Sequence, residues 1–362
     1  MAKQKKTNLI RWIALALILC AIVVFMVLDS KGDRGMQVVA EVDKSPIYLF
    51  ELERELKNYY DQIGGNQRIT DDNLDDLRVS TMNVLVEQEI VLLAAKKDKY
   101  SVPMVEVDSY IEDQKQQAGS QLAWEAFLSS WGFTEKTFRE YLVEMYTVDN
   151  YPPTAWNAPA VTDEQVRAEF ESRLASNPSL RFEEAESLIR TTLEVDAELQ
   201  ASQAWFKALK DASKIKIYDK RVIARNLVEE QKYEEAIKEY LKARKAEPED
   251  PYIDVAIAKA YNKMGDSKNM EKYFESAIKK DGKNTFIYLA KAKLLIEAGD
   301  NESAKDQMKL AIEHTDETNL PLLERLEEVT MQLGMVEESD LLDRMIREIM
   351  MPSSTITTVP QL

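Results

Sequence analysis

Apolar and polar residues alternate with several different periods along this chain, and each period predicts a different element. Leu9–Leu28 is almost wholly apolar, broken only by Arg11; Lys3, Lys5 and Lys6 precede it and polar Asp29–Arg34 follows. Twenty residues rising about 1.5 Å each span the roughly 30 Å of a bilayer's hydrocarbon, so this run predicts a single membrane-spanning helix. Lysines in front of it favour a cytoplasmic N-terminus and place the rest of the chain on the far side. A cleaved signal peptide would have a shorter apolar core ending in small residues, whereas Ala21–Leu28 continues as AIVVFMVL. Val38–Val42 then alternates like a strand, and Asp43-Lys44-Ser45-Pro46 reads as a tight turn into Ile47.

From there the period becomes helical. Met82, Leu85, Val86, Ile90, Leu93 and Ala94 form one stripe, Val107, Tyr110 and Ile111 a second, and Trp124, Phe127, Leu128 and Trp131 a third. Thr134 is an expected N-cap with Phe133 and Phe138 as its hydrophobic staple; Thr162 to Gln165 is a capping box stapled by Val161 and Val166. Phe182–Ala212 reads as a long helix with Leu188, Ile189, Leu193 and Leu199 facing inward. Ile215-Lys216-Ile217-Tyr218 alternates like an edge strand, expected beside Val38–Val42.

Beyond Ile217 the sequence repeats every 34 residues. Ala236, Tyr240, Ala243 and Pro248 set a spacing that recurs at Met270, Phe274 and Ala277, then at Ala304, Met308 and Ala311, with Gly265 and Gly299 at equivalent turns. This is the period and pattern of tetratricopeptide repeats, in which small residues let helices approach and large ones fill the gap between them. A degenerate fourth unit, about 319–350, would cap the stack with Leu326, Leu333, Leu341 and Leu342 inward. Two further ladders share the period: Tyr218, Tyr252 and Phe286, and Arg225, Lys259 and Lys293. In tetratricopeptide folds both positions face the concave groove, and such a groove suits an extended or acidic peptide. The bland reading is that the aromatics pack on the preceding repeat and the cations are a solvated face.

Composition narrows the chemistry. A formal charge of −17 argues against nucleic acid, which demands clustered Lys and Arg. Cys20 is the single cysteine, so one chain holds no disulfide and no cysteine metal site, and Leu19 before it does not suit lipid attachment. His314, the single histidine, falls within a repeat helix and reads as structural. No phosphate-cradling glycine loop is present, and neither a cofactor nor a metal is expected.

The strand, the turn ending in Pro46-Ile47, the helix VLVEQEIVLLAAKKDKY and the Gly132-Phe133-Thr134…Phe138-Arg139…Leu142 signature together resemble the N-terminal chaperone segment of SurA/PpiD/PrsA-type peptidyl-prolyl isomerases. The family's usual Asn-Gly turn is replaced by Asp43-Lys44. What the resemblance implies is a helical cradle for unfolded polypeptides, interrupted in the family by a parvulin isomerase domain of roughly a hundred residues. Here about 55 residues, nearly all helical in pattern, separate Val161 from Tyr218, so the isomerase domain is expected to be absent and the chain not to be an enzyme.

The expected fold is mainly α. Residues 1–34 form a cytoplasmic tip and membrane anchor, 35–216 a SurA-like module with a small hairpin and edge strand, 217–350 the repeat solenoid, and 351–362 a disordered tail. The expected function is a bacterial inner-membrane chaperone or assembly factor facing the periplasm. Tyr59, Tyr60, Trp124, Trp131, Tyr146 and Tyr151 are the candidate client-binding aromatics, although an aromatic stripe is more often core. Unfolded or exported polypeptides and a protein docked in the repeat groove are the expected partners. A prolyl isomerase and a scaffold without chaperone activity are the alternatives.

Overall fold

The computed structural model describes residues 35–62, 74–152 and 158–351. The membrane helix expected at 9–28 and the tail from Pro352 lie outside them. Among the described residues no helix is long and apolar enough to cross a membrane. The mainly α expectation holds.

Strands β1 (Val38–Val42) and β2 (Ser45–Tyr48) flank a turn in which Asp43 and Lys44 have φ of 49° and 74°. Two left-handed residues make a hairpin turn whose twist matches its strands, a conformation that glycine usually supplies. Asp43 is held there from outside. Its side chain accepts the Lys214 N–H at 2.9 Å, and its own N–H donates to the Lys214 carbonyl at 3.0 Å. Strand β3 (Ile215–Ile217) lies beside β1, as the sequence predicts, in a sheet of order β2-β1-β3.

The chain divides into two compact units. One comprises Glu41–Ser45 and Val84–Lys216. It holds the later turns of α2 (Leu74–Lys97), followed by α3 (Met104–Ala118), α4 (Gln121–Ser130), α5 (Glu135–Asn150), α6 (Asp163–Ser176) and α7 (Phe182–Ala212). Val107, Ile111, Trp124, Leu128, Phe138 and Leu142 form one core cluster, and Val166, Ala185 and Ile189 another. Both predicted caps form: the side chains of Thr134 and Thr162 accept N–H groups at Thr137 and Gln165, which reciprocate. Phe133 meets Phe138 edge-on at 5.4 Å, completing the staple. Helices α6 and α7 occupy most of the stretch from Tyr151 to Tyr218.

Helix α7 corrects one expectation. Ile189 and Ala185 are buried, but Leu188 is 66% exposed and Leu199 53%. Adjacent residues on a helix point about 100° apart, so Leu188 and Ile189 cannot share the buried face.

The other unit comprises residues 35–40, Pro46–Asn83 and 217–351. It contains α1 (Leu49–Gln62), the first turns of α2, and the helix pairs α8 (Lys220–Glu229) with α9 (Tyr233–Ala246), α10 (Pro251–Lys263) with α11 (Ser267–Lys280), α12 (Thr285–Glu297) with α13 (Asn301–Glu313), and α14 (Leu320–Gln332) with α15 (Val336–Met350). The repeating small and large residues all lie inside: Ala236, Tyr240 and Ala243, then Phe274 and Ala277, then Ala304, Met308 and Ala311. Asp219, Asp250, Asn284 and Asn319 cap the first helix of each pair through side-chain oxygens. In α15 the buried stripe is Leu342 and Ile346, and Leu341, expected inside, is exposed for the same angular reason. His314 ends α13 with its ring 5.7 Å from that of Tyr288.

The turn within each pair passes through a left-handed residue: Gly265, Gly299 and Gly334 in the later pairs, with φ of 75°, 81° and 68°, and Gln231, at 59°, in the first. A Cβ at Gly265 or Gly299 would meet no neighbour within 4 Å, so the conformation alone favours glycine there. Gln231→Gly is accordingly expected to stabilise the protein by about 0.5–1 kcal/mol, and Gly299→Ala to destabilise it by about 1 kcal/mol, both read from urea denaturation midpoints.

Candidate functional site

Helix α8 opens on Asp219, whose Oδ1 accepts the N–H groups of Arg221 and Val222 at 3.0 and 2.9 Å. Its Oδ2 accepts both Nε and Nη2 of Arg78 from α2, at 3.1 and 2.5 Å. One carboxylate thus caps one helix and grips another. Burial pushes the Asp219 carboxyl up, but Arg78 and the cap N–H groups outweigh it and hold the group below the ordinary carboxylate range.

The first turn of α2 carries two more acids. Asp75 Oδ1 accepts Arg221 Nε at 2.9 Å and lies 2.7 Å from Nη2, while its Oδ2 accepts the Tyr240 phenol at 2.9 Å. Arg221 Nη1 also donates to Asp250, at 2.8 Å. Burial opposes the charge on Arg221, yet Asp75 and Asp250 together hold its pKa above the ordinary guanidinium value. Burial and then Asp75 push the Tyr240 phenol well above its usual range. Asp76 pairs with Arg225 at 2.6 Å, and Arg225 also meets Glu229.

Asp75, Arg221, Arg225, Glu229 and Tyr240 line a cleft of about 330 Å³, together with Tyr252, Lys259 and Lys263. Three of the six groove residues expected from the sequence, Arg225, Tyr252 and Lys259, therefore share a single cavity. Tyr252 accepts a hydrogen bond from the Asn284 side chain at 2.8 Å. Tyr218 is 37% exposed, Phe286 packs against the core of the later repeats, and Lys293 is half-buried; none of the three lines the cleft. The lining holds the cations Arg221, Arg225, Lys259 and Lys263, the carboxylates Asp75 and Glu229, and the aromatic residues Tyr233, Tyr240 and Tyr252. Among the described residues no group of three or more histidines, cysteines and carboxylates is placed to hold a metal ion.

Sequence reasoning missed Asp75 and Asp76. Acids in a first turn complement the helix dipole, so their pairing with α8 has no separate signature in the pattern.

The client-binding aromatics divide. Trp124 is 1% exposed; its indole N–H donates to Glu135 at 3.3 Å, and its ring stacks on Phe127 and meets Phe138 edge-on. Tyr151 is also buried. Its hydroxyl donates to Asp98 at 2.5 Å, and burial together with Asp98 pushes the phenol to about 12. The structure corrects the expectation for both residues, because rings enclosed by their own core offer no surface to a client. Trp131 and Tyr146 are half-buried, the latter against the Trp124 cluster, and Tyr59 is 46% exposed. The Tyr60 side chain lies outside the described residues. The largest exposed aliphatics of this unit are instead Leu122 at 78%, Val105 at 72% and Leu188 at 66%.

Comparison with known proteins matches these two kinds of architecture. Residues 1–151 match the family of SurA-like N-terminal domains, and residues 255–284 match the tetratricopeptide repeat. The chain joins a SurA-like domain to tetratricopeptide repeats. A similar protein is the foldase protein PrsA of Clostridium perfringens (strain SM101 / Type A), 27% identical over 159 residues, which cover 40% of this chain and 46% of that one. The alignment thus spans less than half of either protein.

Two outcomes follow from the geometry. Asp75→Ala leaves the buried Arg221 and the Tyr240 hydroxyl short of a partner and is expected to cost about 3 kcal/mol in chemical denaturation. Because the Asp219 pKa is lowered on folding, its stabilisation is present above the unfolded carboxyl value of about 3.9 and is lost as pH falls through the lower folded value. Asp219→Asn should therefore flatten the acid limb of a stability–pH profile.

Proposed function

We propose that this protein is a membrane-anchored extracytoplasmic chaperone or assembly factor that holds unfolded or exported polypeptides and docks a partner in its repeat groove. The SurA-like domain supports the chaperone class. The apolar run at residues 9–28 supports the anchor and the bacterial inner-membrane location, with the bulk of the chain facing the periplasm. The observation that carries the docking half is the seating of Asp75, which lines the cleft, against Arg221. The groove already receives the Asp75 carboxylate from its own chain, and Lys259 and Lys263, the latter paired with Glu297 at 3.3 Å, also line it. An acidic segment of a partner fits that row, aided by the aromatic face of Tyr252.

In this reading the protein holds chains without a reaction centre, and α6 and α7 fill the stretch where the resembled family is expected to carry an isomerase. Holding needs no nucleotide, because many weak apolar contacts grip a client and release it by exchange.

The test has two arms, both on the full chain in detergent. Light scattering of an unfolded client should be suppressed without ATP, and a proline-peptide assay should show no turnover above background; turnover would replace this reading with an isomerase. Binding of a glutamate-rich peptide should weaken roughly tenfold in Lys259→Glu and fade at high salt. Unchanged affinity would remove the groove from the mechanism.

A further inference from the structure

Helix α7 carries two apolar faces. Its buried face, Ala185 and Ile189, packs with Val166 of α6. The second face holds Leu188, Val195 and Leu199, which are 66%, 58% and 53% exposed. Their spacing of seven and then four residues places them on one line along the helix, about 16 Å long. Three large aliphatics kept in water on one line are not what folding this helix requires, since its core contacts lie elsewhere.

The charge beside this line is one-sided. Glu194, Asp196 and Glu198 flank it and are exposed, while Glu184, nearer the helix start, pairs with Arg181 at 3.7 Å. Among the described residues, Glu194, Asp196 and Glu198 have no ion-pair partner. Arg190, the cation in this stretch, is engaged by Asp163 at 2.6 Å and by Glu186 at 3.3 Å. A second copy of α7 laid on this face would set carboxylates against carboxylates. A segment with aliphatic side chains flanked by lysine or arginine would meet both the seam and the charge.

We infer that the Leu188–Val195–Leu199 face of α7 is a binding surface for aliphatic polypeptide segments flanked by lysine or arginine. This rests on the chaperone reading and gives it a client class. Aliphatic contact supplies the grip, and the carboxylates select among segments and accelerate their capture. The surface is distinct from the repeat groove, whose lysines favour the opposite charge.

The experiment titrates the full chain, in detergent, against two fluorescent peptides with the same leucine–valine core, one flanked by lysines and the other by glutamates. The lysine peptide should bind roughly tenfold more tightly, and the difference should shrink as salt rises. Leu188→Ser/Val195→Ser/Leu199→Ser should lose roughly tenfold in affinity with an unchanged circular dichroism spectrum, because all three side chains are exposed. Glu194→Lys/Glu198→Lys should reverse the preference. Equal binding by the triple variant, indifference to the sign of the flanks, or wild-type self-association abolished by the triple variant would each overturn the assignment. Client aggregation separates the two levels. If both proteins suppress it equally, the seam is wrong and the chaperone reading stands. If the wild type suppresses nothing, the chaperone reading falls, and the seam with it as a client site.

Discussion

The contact that organises the repeat-bearing unit is the one between the acidic first turn of α2 and the arginines of α8. Arg221 is nearly buried, with its side chain 11% exposed, and a guanidinium in that position is tolerable only with carboxylates fixed around it. Asp75 and Asp250 provide them, Tyr240 satisfies the remaining oxygen of Asp75, and Arg78 with Asp219 repeats the arrangement a turn away. The same residues fix the start of α8, because Asp219 caps it. Helix start, buried charge and groove chemistry are therefore one construction, and none of its parts can be altered alone.

The groove inherits its character from this. Arg221 and Arg225 are neutralised by the chain's own aspartates, and further along the lining Lys263 pairs with Glu297 at 3.3 Å.

Much of this was legible in the sequence wherever a local rule decides the outcome. The 34-residue period located the helix pairs, because burying Ala277 against Phe274 leaves few alternatives. Thr134 and Thr162 announced their helix starts through capping chemistry that acts within one turn. What escaped was non-local. The pairing of Asp75 with Arg221 joins residues 146 positions apart, and nothing in either neighbourhood names the other. Trp124 and Leu188 fail for a different reason. A core stripe and a surface stripe have the same spacing, and which one a residue occupies is settled by partners elsewhere: Glu135 for the indole, Val166 for the face beside Leu188. The aromatic stripe at Trp124 thus belongs to a core, and the aliphatics left in water carry no comparable signal in the sequence.

Gln231 sits where the later helix pairs place a glycine, so the first pair enters its turn under backbone strain. In a stack whose members touch only their neighbours, an outermost member with a strained turn is where fraying begins. The aspartates of α2 hold that end from a part of the chain made long before it. A fragment starting at Ile217 would therefore not be a smaller version of the same solenoid. It would be a ladder with its lowest rung unfastened and an arginine left in a dry pocket, so properties measured on it would describe the loss of that fastening as much as the repeats.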